Sequence, residues 1–313
     1  MTKTNIPHSD ISSIEIYNKG AVQQNIDHKA LEGGKLGILR GGNSGALVGS
    51  EVLGTCHRIS LLRYKGISAP HSKDAQYFFD AGYANESAWE AKLDAFIKAN
   101  PEYSYKSEEE IPIKWLTSQG IPVTGRPDIV IIKDDKPVLG LELKVVCTIN
   151  SAASKILENK PAPTNLIQAA HYSMALGIPF NLVYTFRGRG LPFYGIVKKY
   201  KGTGQLNHKN EIDPFNIEFK LGFDEKDRLY YINRFGIRTT TLVTSQSIRD
   251  YYDLIGDMVE KEDLFISPAS KDMNGEKYWS PCNLCSFKDV CDSYSDDYTR
   301  WIDEATKVAL EGK

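Results

Sequence analysis

Cysteine, histidine and long apolar runs are all scarce in this chain. Five cysteines and six histidines among 313 residues are too few for a disulfide-framed secreted scaffold, and an intracellular chain would keep its thiols reduced. No window approaches ~20 uninterrupted apolar residues, so no membrane span is expected. Met1 to Asp10 are polar and lack the apolar stretch of a secretory signal, and a soluble, cytoplasmic protein is the expectation. Neither Gly33-Gly34-Lys35 nor Gly41-Gly42-Asn43-Ser44-Gly45 completes a G-x-x-x-x-G-K-[ST] loop, which leaves these glycines as turns and the chain without its own ATPase. Low-complexity tracts are missing too. A composition 41% apolar and 25% charged suits a packed domain, and the length allows a well-buried core. The net charge of -2 excludes a histone-like basic protein while leaving room for a local basic groove.

What the chain does have is concentrated between Gly125 and Lys144. Gly125-Arg126-Pro127-Asp128 leads into the apolar run Ile129-Val130-Ile131-Ile132. A polar turn, Lys133 to Pro137, is followed by Val138-Leu139-Gly140-Leu141-Glu142-Leu143-Lys144-Val145-Val146. Two β-branched-rich runs around Asp, Lys and Pro predict a hairpin. Strand alternation puts Leu141, Leu143 and Val145 on one face and Glu142 and Lys144 on the other. With Asp128 at the edge of the neighbouring strand, two carboxylates and an ammonium can converge on one point. Two hard oxygen ligands suit Mg²⁺ or Mn²⁺, and a lysine beside them can orient water and balance anionic charge. The plainer reading is a surface hairpin with an ordinary Glu–Lys pair on its solvent face.

Other elements frame this hairpin. A helix is predicted from an N-cap at Ser50 to about Tyr64, carrying Cys56. Another is predicted over Ala84 to Ala99, with Trp89, Leu93, Phe96 and Ile97 as its apolar stripe and Gly82-x-x-x-Glu86 opening it. After the hairpin, Asn165 to Leu176 reads as a helix closed by Gly177, on which Gln168 and Tyr172 sit one turn apart. His171 between them reads as packing or a hydrogen bond rather than a metal ligand. Strands are expected at Asn181 to Phe186, Tyr194 to Lys198 and Phe215 to Leu221. A further helix over Ile248 to Lys261 carries Tyr251, Leu254, Ile255 and Met258 at core spacing. Arg187, Arg189, Lys198 and Lys199 interleave with Phe193, Tyr194 and Tyr200, a pattern suited to single-stranded nucleic acid and equally to a solvated hairpin.

The order Pro127-Asp128 … Glu142-Leu143-Lys144 resembles the PD-(D/E)-x-K nucleases. Gln168-Ala169-Ala170-His171-Tyr172 is similar to the Q-x-x-x-Y that RecB-like members carry on the following helix. The resemblance spans about Ser50 to Cys291 with the motifs in the family's order. It implies that Asp128 and Glu142 hold Mg²⁺ or Mn²⁺, that Lys144 positions the attacking water, and that Gln168 and Tyr172 touch the DNA backbone. By the same resemblance Glu86 is a third metal ligand, and a solvated helix face is its alternative.

Pro281-Cys282-Asn283-Leu284-Cys285 … Cys291 places three thiolates within reach of one metal centre. No histidine follows His208, so the fourth ligand comes from upstream, Cys56 or Cys147. One upstream cysteine with a C-terminal C-x2-C-xn-C resembles the iron–sulfur branch of the RecB-like nucleases, which includes the AddB nuclease and the CRISPR-adaptation exonucleases. The resemblance implies a [4Fe–4S] cluster on Cys56, Cys282, Cys285 and Cys291, with zinc as the lesser alternative and Cys147 a buried thiol.

The expected fold is thus α/β, restriction-endonuclease-like: a mixed central sheet flanked by helices, with a C-terminal iron–sulfur element stapled to an N-terminal helix. Residues 1–49 are expected to be peripheral, 50–280 the nuclease core and 281–313 the cysteine element with a terminal helix. The expected activity is a metal-dependent deoxyribonuclease, an exonuclease on single-stranded DNA ends, acting with recombination, repair or CRISPR-adaptation partner proteins. The alternative is a non-catalytic DNA-binding or scaffold subunit of such a complex.

Overall fold

Asp134 and Asp135 both adopt left-handed backbone, with φ of 48° and 60°. Two successive positive φ values match the right-handed twist of flanking antiparallel strands, and aspartate tolerates that region better than most side chains. The apolar runs on either side therefore pair as a tight hairpin, with Ile129 opposite Leu141 and Lys133 opposite Lys136. The computed structural model describes residues 5–23, 47–48, 57–67, 73–107, 113–146, 159–186, 216–262, 287–294 and 297–311.

In chain order the described elements begin with helix α1 (Ser13–Gln23), strand β1 (Leu47–Val48), and helices α2 (His57–Tyr64) and α3 (Lys73–Ala99). Strands β2 (Tyr103–Ser107), β3 (Ile113–Leu116) and β4 (Pro122–Gly125) lead to the hairpin, β5 (Ile129–Lys133) and β6 (Lys136–Val146). Helix α4 (Pro163–Leu176) and strand β7 (Phe180–Phe186) follow, then β8 (Asn216–Phe223), β9 (Arg228–Ile232) and β10 (Arg238–Thr244). Helices α5 (Ser245–Lys261), α6 (Lys288–Ser293) and α7 (Tyr298–Glu311) complete the described chain. Seven strands form a mixed sheet in the order β10-β9-β8-β7-β6-β5-β2. Only β6 and β7 pair in parallel within it, because the connection between them runs through α4. A smaller sheet, β1-β4-β3, delivers the chain to Asp128.

Strand β7 is buried along its whole length, which requires cover on both faces. On one face α3 lays Trp89, Leu93 and Phe96 over Ile129, Ile131, Leu139, Leu141, Leu143 and Val183. On the other, α4 packs Ile167 and Tyr172 over Phe180, Leu182 and Phe219, and α5 adds Tyr252 and Ile255 to the same core from beside α4. The alternation read from the sequence holds, but Glu142 does not face solvent and Lys144 is half-buried. They point to the side that α4 covers, and Glu142 is 0% exposed.

Three expectations change. The chain near its start is not peripheral. Ile6 bridges Phe223 of β8 through backbone bonds of 3.2 and 2.7 Å, and Ile16 is buried against the α3 layer. Glu218 on β8 anchors the start of α1, accepting from the Ser13 amide at 2.7 Å, the Ser13 hydroxyl, the Ser12 hydroxyl at 3.1 Å and the Asn181 amide at 2.8 Å. A carboxylate at a helix N-terminus satisfies its orphan donors and complements its dipole. Second, α3 starts eleven residues before Ala84, so Gly82 lies inside the helix rather than at its opening. Third, α4 begins at Pro163, a residue type suited to the first helical turn. Residues 49–56, the strand expected at Tyr194 to Lys198 and Cys147 lie outside the described residues.

The two glycines Gly140 and Gly82 should respond oppositely to alanine. A Cβ at Gly140 would lie 2.1 Å from the Phe180 ring, whereas one at Gly82 meets nothing within 4 Å. Gly140→Ala should lower stability by about 1–3 kcal/mol. Gly82→Ala should raise it by about 0.5–1 kcal/mol. Urea midpoints of the two variants check both signs.

Candidate active site

Where β5 runs out, the Leu143 N–H of β6 loses its ladder partner, and the Asp128 carboxylate takes it at 2.5 Å. Asp128 is thereby fixed beside Glu142. Across the β6–β7 ladder Glu142 lies opposite Leu182 and Lys144 opposite Tyr184, so their side chains share the α4-facing surface. The Lys144 ammonium donates to Glu142 Oε1 in a close ion pair, with the lysine side chain 27% exposed and the glutamate 0%. Asp128, Glu142 and Lys144 thus meet at one end of the hairpin.

Burial and neighbouring charges both act on the cluster. Burial raises the Asp128 carboxyl well above its ordinary value. The Glu142 and Glu86 carboxylates raise it further, and Lys144 and the Leu143 amide only partly oppose them. For Lys144, burial works against the charge, but Glu142 and Asp128 outweigh it and raise the ammonium above its usual value. Glu86, half-buried on α3, therefore lies close enough to act on Asp128. Among the described residues, however, no three Asp, Glu, His or Cys side chains are grouped as they stand to hold a metal ion. The three-ligand set expected with Glu86 is not assembled. Asp128 and Glu142 are near enough for the one to act on the other, and Mg²⁺-type ions are commonly held by one or two carboxylates, with waters and substrate phosphates completing the shell. Two carboxylates facing one ammonium suit such an ion in donor type and in charge.

Helix α4 roofs the cluster. Gln168 Nε2 donates to the Tyr172 hydroxyl at 3.2 Å, and the Arg126 amide also donates to that oxygen. The Tyr172 ring packs onto Gly125, where a Cβ would come within 2.6 Å, so this glycine is needed for the close approach. Tyr172 is only 1% exposed. Burial, Glu142 and Asp128 hold its phenol well above its ordinary pKa. A strand touched directly by this tyrosine, as the resemblance implies, does not match that burial; half-buried Gln168 is the member of the pair nearer solvent. Arg126, beside Pro127-Asp128, is exposed.

His171 is a core group, as its sequence context indicates. The Trp115 indole donates to Nε2 at 2.9 Å, which assigns the neutral tautomer with the proton on Nδ1, 3.3 Å from the Tyr252 hydroxyl. Burial, with nearby Arg249, lowers its pKa to about 3. The sequence does not disclose Tyr184, whose hydroxyl accepts from Ala162 N–H at 2.9 Å and the Asn165 amide at 3.1 Å. Strand register, invisible in a single chain, places it beside Lys144.

Of the four expected cluster cysteines, Cys291 alone lies among the described residues. Its sulfur accepts from the Trp301 indole at 3.3 Å, and its carbonyl accepts from the Arg58 guanidinium at 3.4 Å. Cys56, Cys282 and Cys285 lie outside them, as do Arg187, Arg189, Lys198 and Lys199.

The chain matches no protein-family model and no curated protein sequence. A solved structure described as the crystal structure of SSO0001 aligns over 58% of this chain and 84% of its own, at 17% identity and a TM-score of 0.29. At that score the likeness carries no weight for fold or function.

His171 gives the site a checkable pH signature. Its folded pKa of about 3 lies below the ordinary 6.5, so the unfolded chain binds the extra proton between those values. Its contribution to stability is complete above pH 6.5 and is lost as pH falls, by about 1.4 kcal/mol per unit. Urea unfolding from pH 7 to pH 4 should show this loss in the parent and a shallower one in His171→Asn.

Proposed function

We propose that this protein is a metal-dependent deoxyribonuclease whose reacting centre is Asp128, Glu142 and Lys144. The observation that carries the reading is the convergence of two carboxylates and an ammonium at the end of one buried hairpin. It is supported by the Gln168–Tyr172 pair roofing them. Hairpin and helix follow the order of the motifs in the PD-(D/E)-x-K resemblance, and the mixed sheet flanked by helices is compatible with a restriction-endonuclease-like core.

In this reading Asp128 and Glu142 hold Mg²⁺ or Mn²⁺. The ion, when bound, supplies Lewis acidity at the phosphate and a more acidic water. Lys144 keeps its positive charge beside the carboxylates, where it orients the attacking water and stabilises negative charge building on the phosphoryl oxygens. Hydrolysis adds the water's hydroxyl to phosphorus and breaks one P–O ester bond, with the remaining proton passing to the departing oxygen. Gln168 and exposed Arg126 would contact the strand. Single-stranded DNA ends are the proposed substrate.

The C-terminal cysteines belong to the same proposal as a [4Fe–4S] element on Cys56, Cys282, Cys285 and Cys291, with a structural role. Support comes from the Arg58–Cys291 bond, which sets the first turn of α2, directly after Cys56, against α6. A brown, iron-containing protein is expected, and a colourless zinc protein is the competing outcome.

Glu142→Ala and Lys144→Ala should each reduce Mn²⁺-dependent DNA hydrolysis by about 10²-fold or more. Circular dichroism on each variant separates lost chemistry from lost fold; Lys144→Ala leaves the buried Glu142 without its paired ammonium and should be the less stable of the two. Parent-level digestion by either folded variant would remove that residue from the reacting centre.

A further inference from the structure

Helices α4 and α5 solve the problem of their first turns differently. Helix α5 begins with a reciprocal cap, in which Thr244 and Ser247 exchange side-chain and backbone hydrogen bonds. Helix α4 begins at Ala162 and Pro163, with no side-chain cap of its own. The Tyr184 hydroxyl reaches this start from another element and ties it to the sheet rather than capping it: the Ala162 N–H and the Asn165 side-chain amide both donate to it. Tyr184 is 1% exposed and lies opposite Lys144 in the parallel β6–β7 ladder. Its ring is further braced edge-on by Phe219 of β8.

The far side of the same helix stretch is held too. Tyr172, seven residues after Asn165, packs on Gly125 and takes the Arg126 amide. Gln168 lies between these two attachments, three residues past one and four before the other, bonded to Tyr172 at 3.2 Å. A helix of 14 residues pinned at its first and third turns has little freedom to slide or roll over the sheet between them. Helix capping alone would need only a serine at position 162, where φ and ψ of -64° and 132° already suit an N-cap residue. The phenol adds a link to the strand that pairs with the one carrying Glu142 and Lys144.

We propose that Tyr184 is a positioning residue that clamps the first turn of α4 to the β7–β6 sheet and thereby sets where Gln168 sits against Tyr172 in the roof of the site. What Gln168 is used for rests on the nuclease reading; the clamp itself is a geometric claim. Tyr184→Phe keeps the ring and removes the two bonds. Adding Ala162→Ser supplies a local cap, which the parent lacks, without restoring the link to the sheet, and so separates helix stability from positioning.

Three readouts on the full chain test this: thermal midpoint, the side-chain amide resonances of Gln168 in ¹⁵N-labelled protein, and Mn²⁺-dependent hydrolysis of single-stranded DNA per folded molecule. Tyr184→Phe should lower the midpoint and shift the Gln168 resonances. It should also cut kcat about 10-fold or more, with KM little changed. In Tyr184→Phe with Ala162→Ser the midpoint should recover while the resonances and kcat do not. Gln168 resonances that stay in place in Tyr184→Phe, or that return in the double variant, would overturn the clamp. If the parent and an Asp128→Asn control are equally inert on DNA, the nuclease reading fails, and the resonances alone still decide the clamp.

Discussion

A carboxylate with no solvent exposure is tolerable inside a sheet only if something nearby carries the opposite charge. Glu142 meets that condition through Lys144, two residues on and on the same face of β6. Much of the surrounding structure serves this pair. Gly140 leaves space for Phe180 beneath α4, and Gly125 lets Tyr172 close over the hairpin's end. Asp128 sits beside this pair, and burial first, then the Glu142 carboxylate, raise its pKa well above the ordinary value. Apolar residues of similar volume would often be as stabilising as such a buried charged group, so stability alone gives no reason for it.

The site is also built asymmetrically. Its charged floor is fixed by backbone register, through the Leu143 amide and the β6–β7 ladder, and floor residues can shift only if the sheet shifts. Its roof is a helix held by side chains, Tyr184 at the start and Tyr172 further along. Such a roof is the part that a single lost hydroxyl can loosen. In the proposed reading the fixed floor would hold a cation and the roof would orient a strand, a division of labour suited to phosphodiester chemistry.

Much of this arrangement is legible in the order of the amino acids. The hairpin from Ile129 to Val146 is written in β-branched runs around two aspartates, and the convergence of Asp128, Glu142 and Lys144 follows from period-two alternation. Helices α4 and α5 are readable from apolar spacing, with Gly177 closing α4 in the left-handed conformation. What cannot be read depends on distant partners. The packing of Ile6 and α1 rests on Phe223 and Glu218, more than two hundred residues away, and short segments of that kind show little periodicity of their own. Gly82 looks like a helix boundary because glycine is a poor helix former, yet α3 is carried through it by the residues on either side and by the packing of Trp89, Leu93 and Phe96. Burial of Glu142 and Tyr172 is equally hidden, since alternation gives faces and not what covers them.

The central claim is that the Asp128–Glu142–Lys144 cluster hydrolyses DNA with a divalent cation. It is tested most directly by incubating the parent protein with end-labelled linear and with circular single-stranded DNA in Mn²⁺ or Mg²⁺. The account predicts that linear strands shorten progressively from one or both ends while circles survive. Both substrates remaining intact with either metal, in protein shown to be folded, would contradict it.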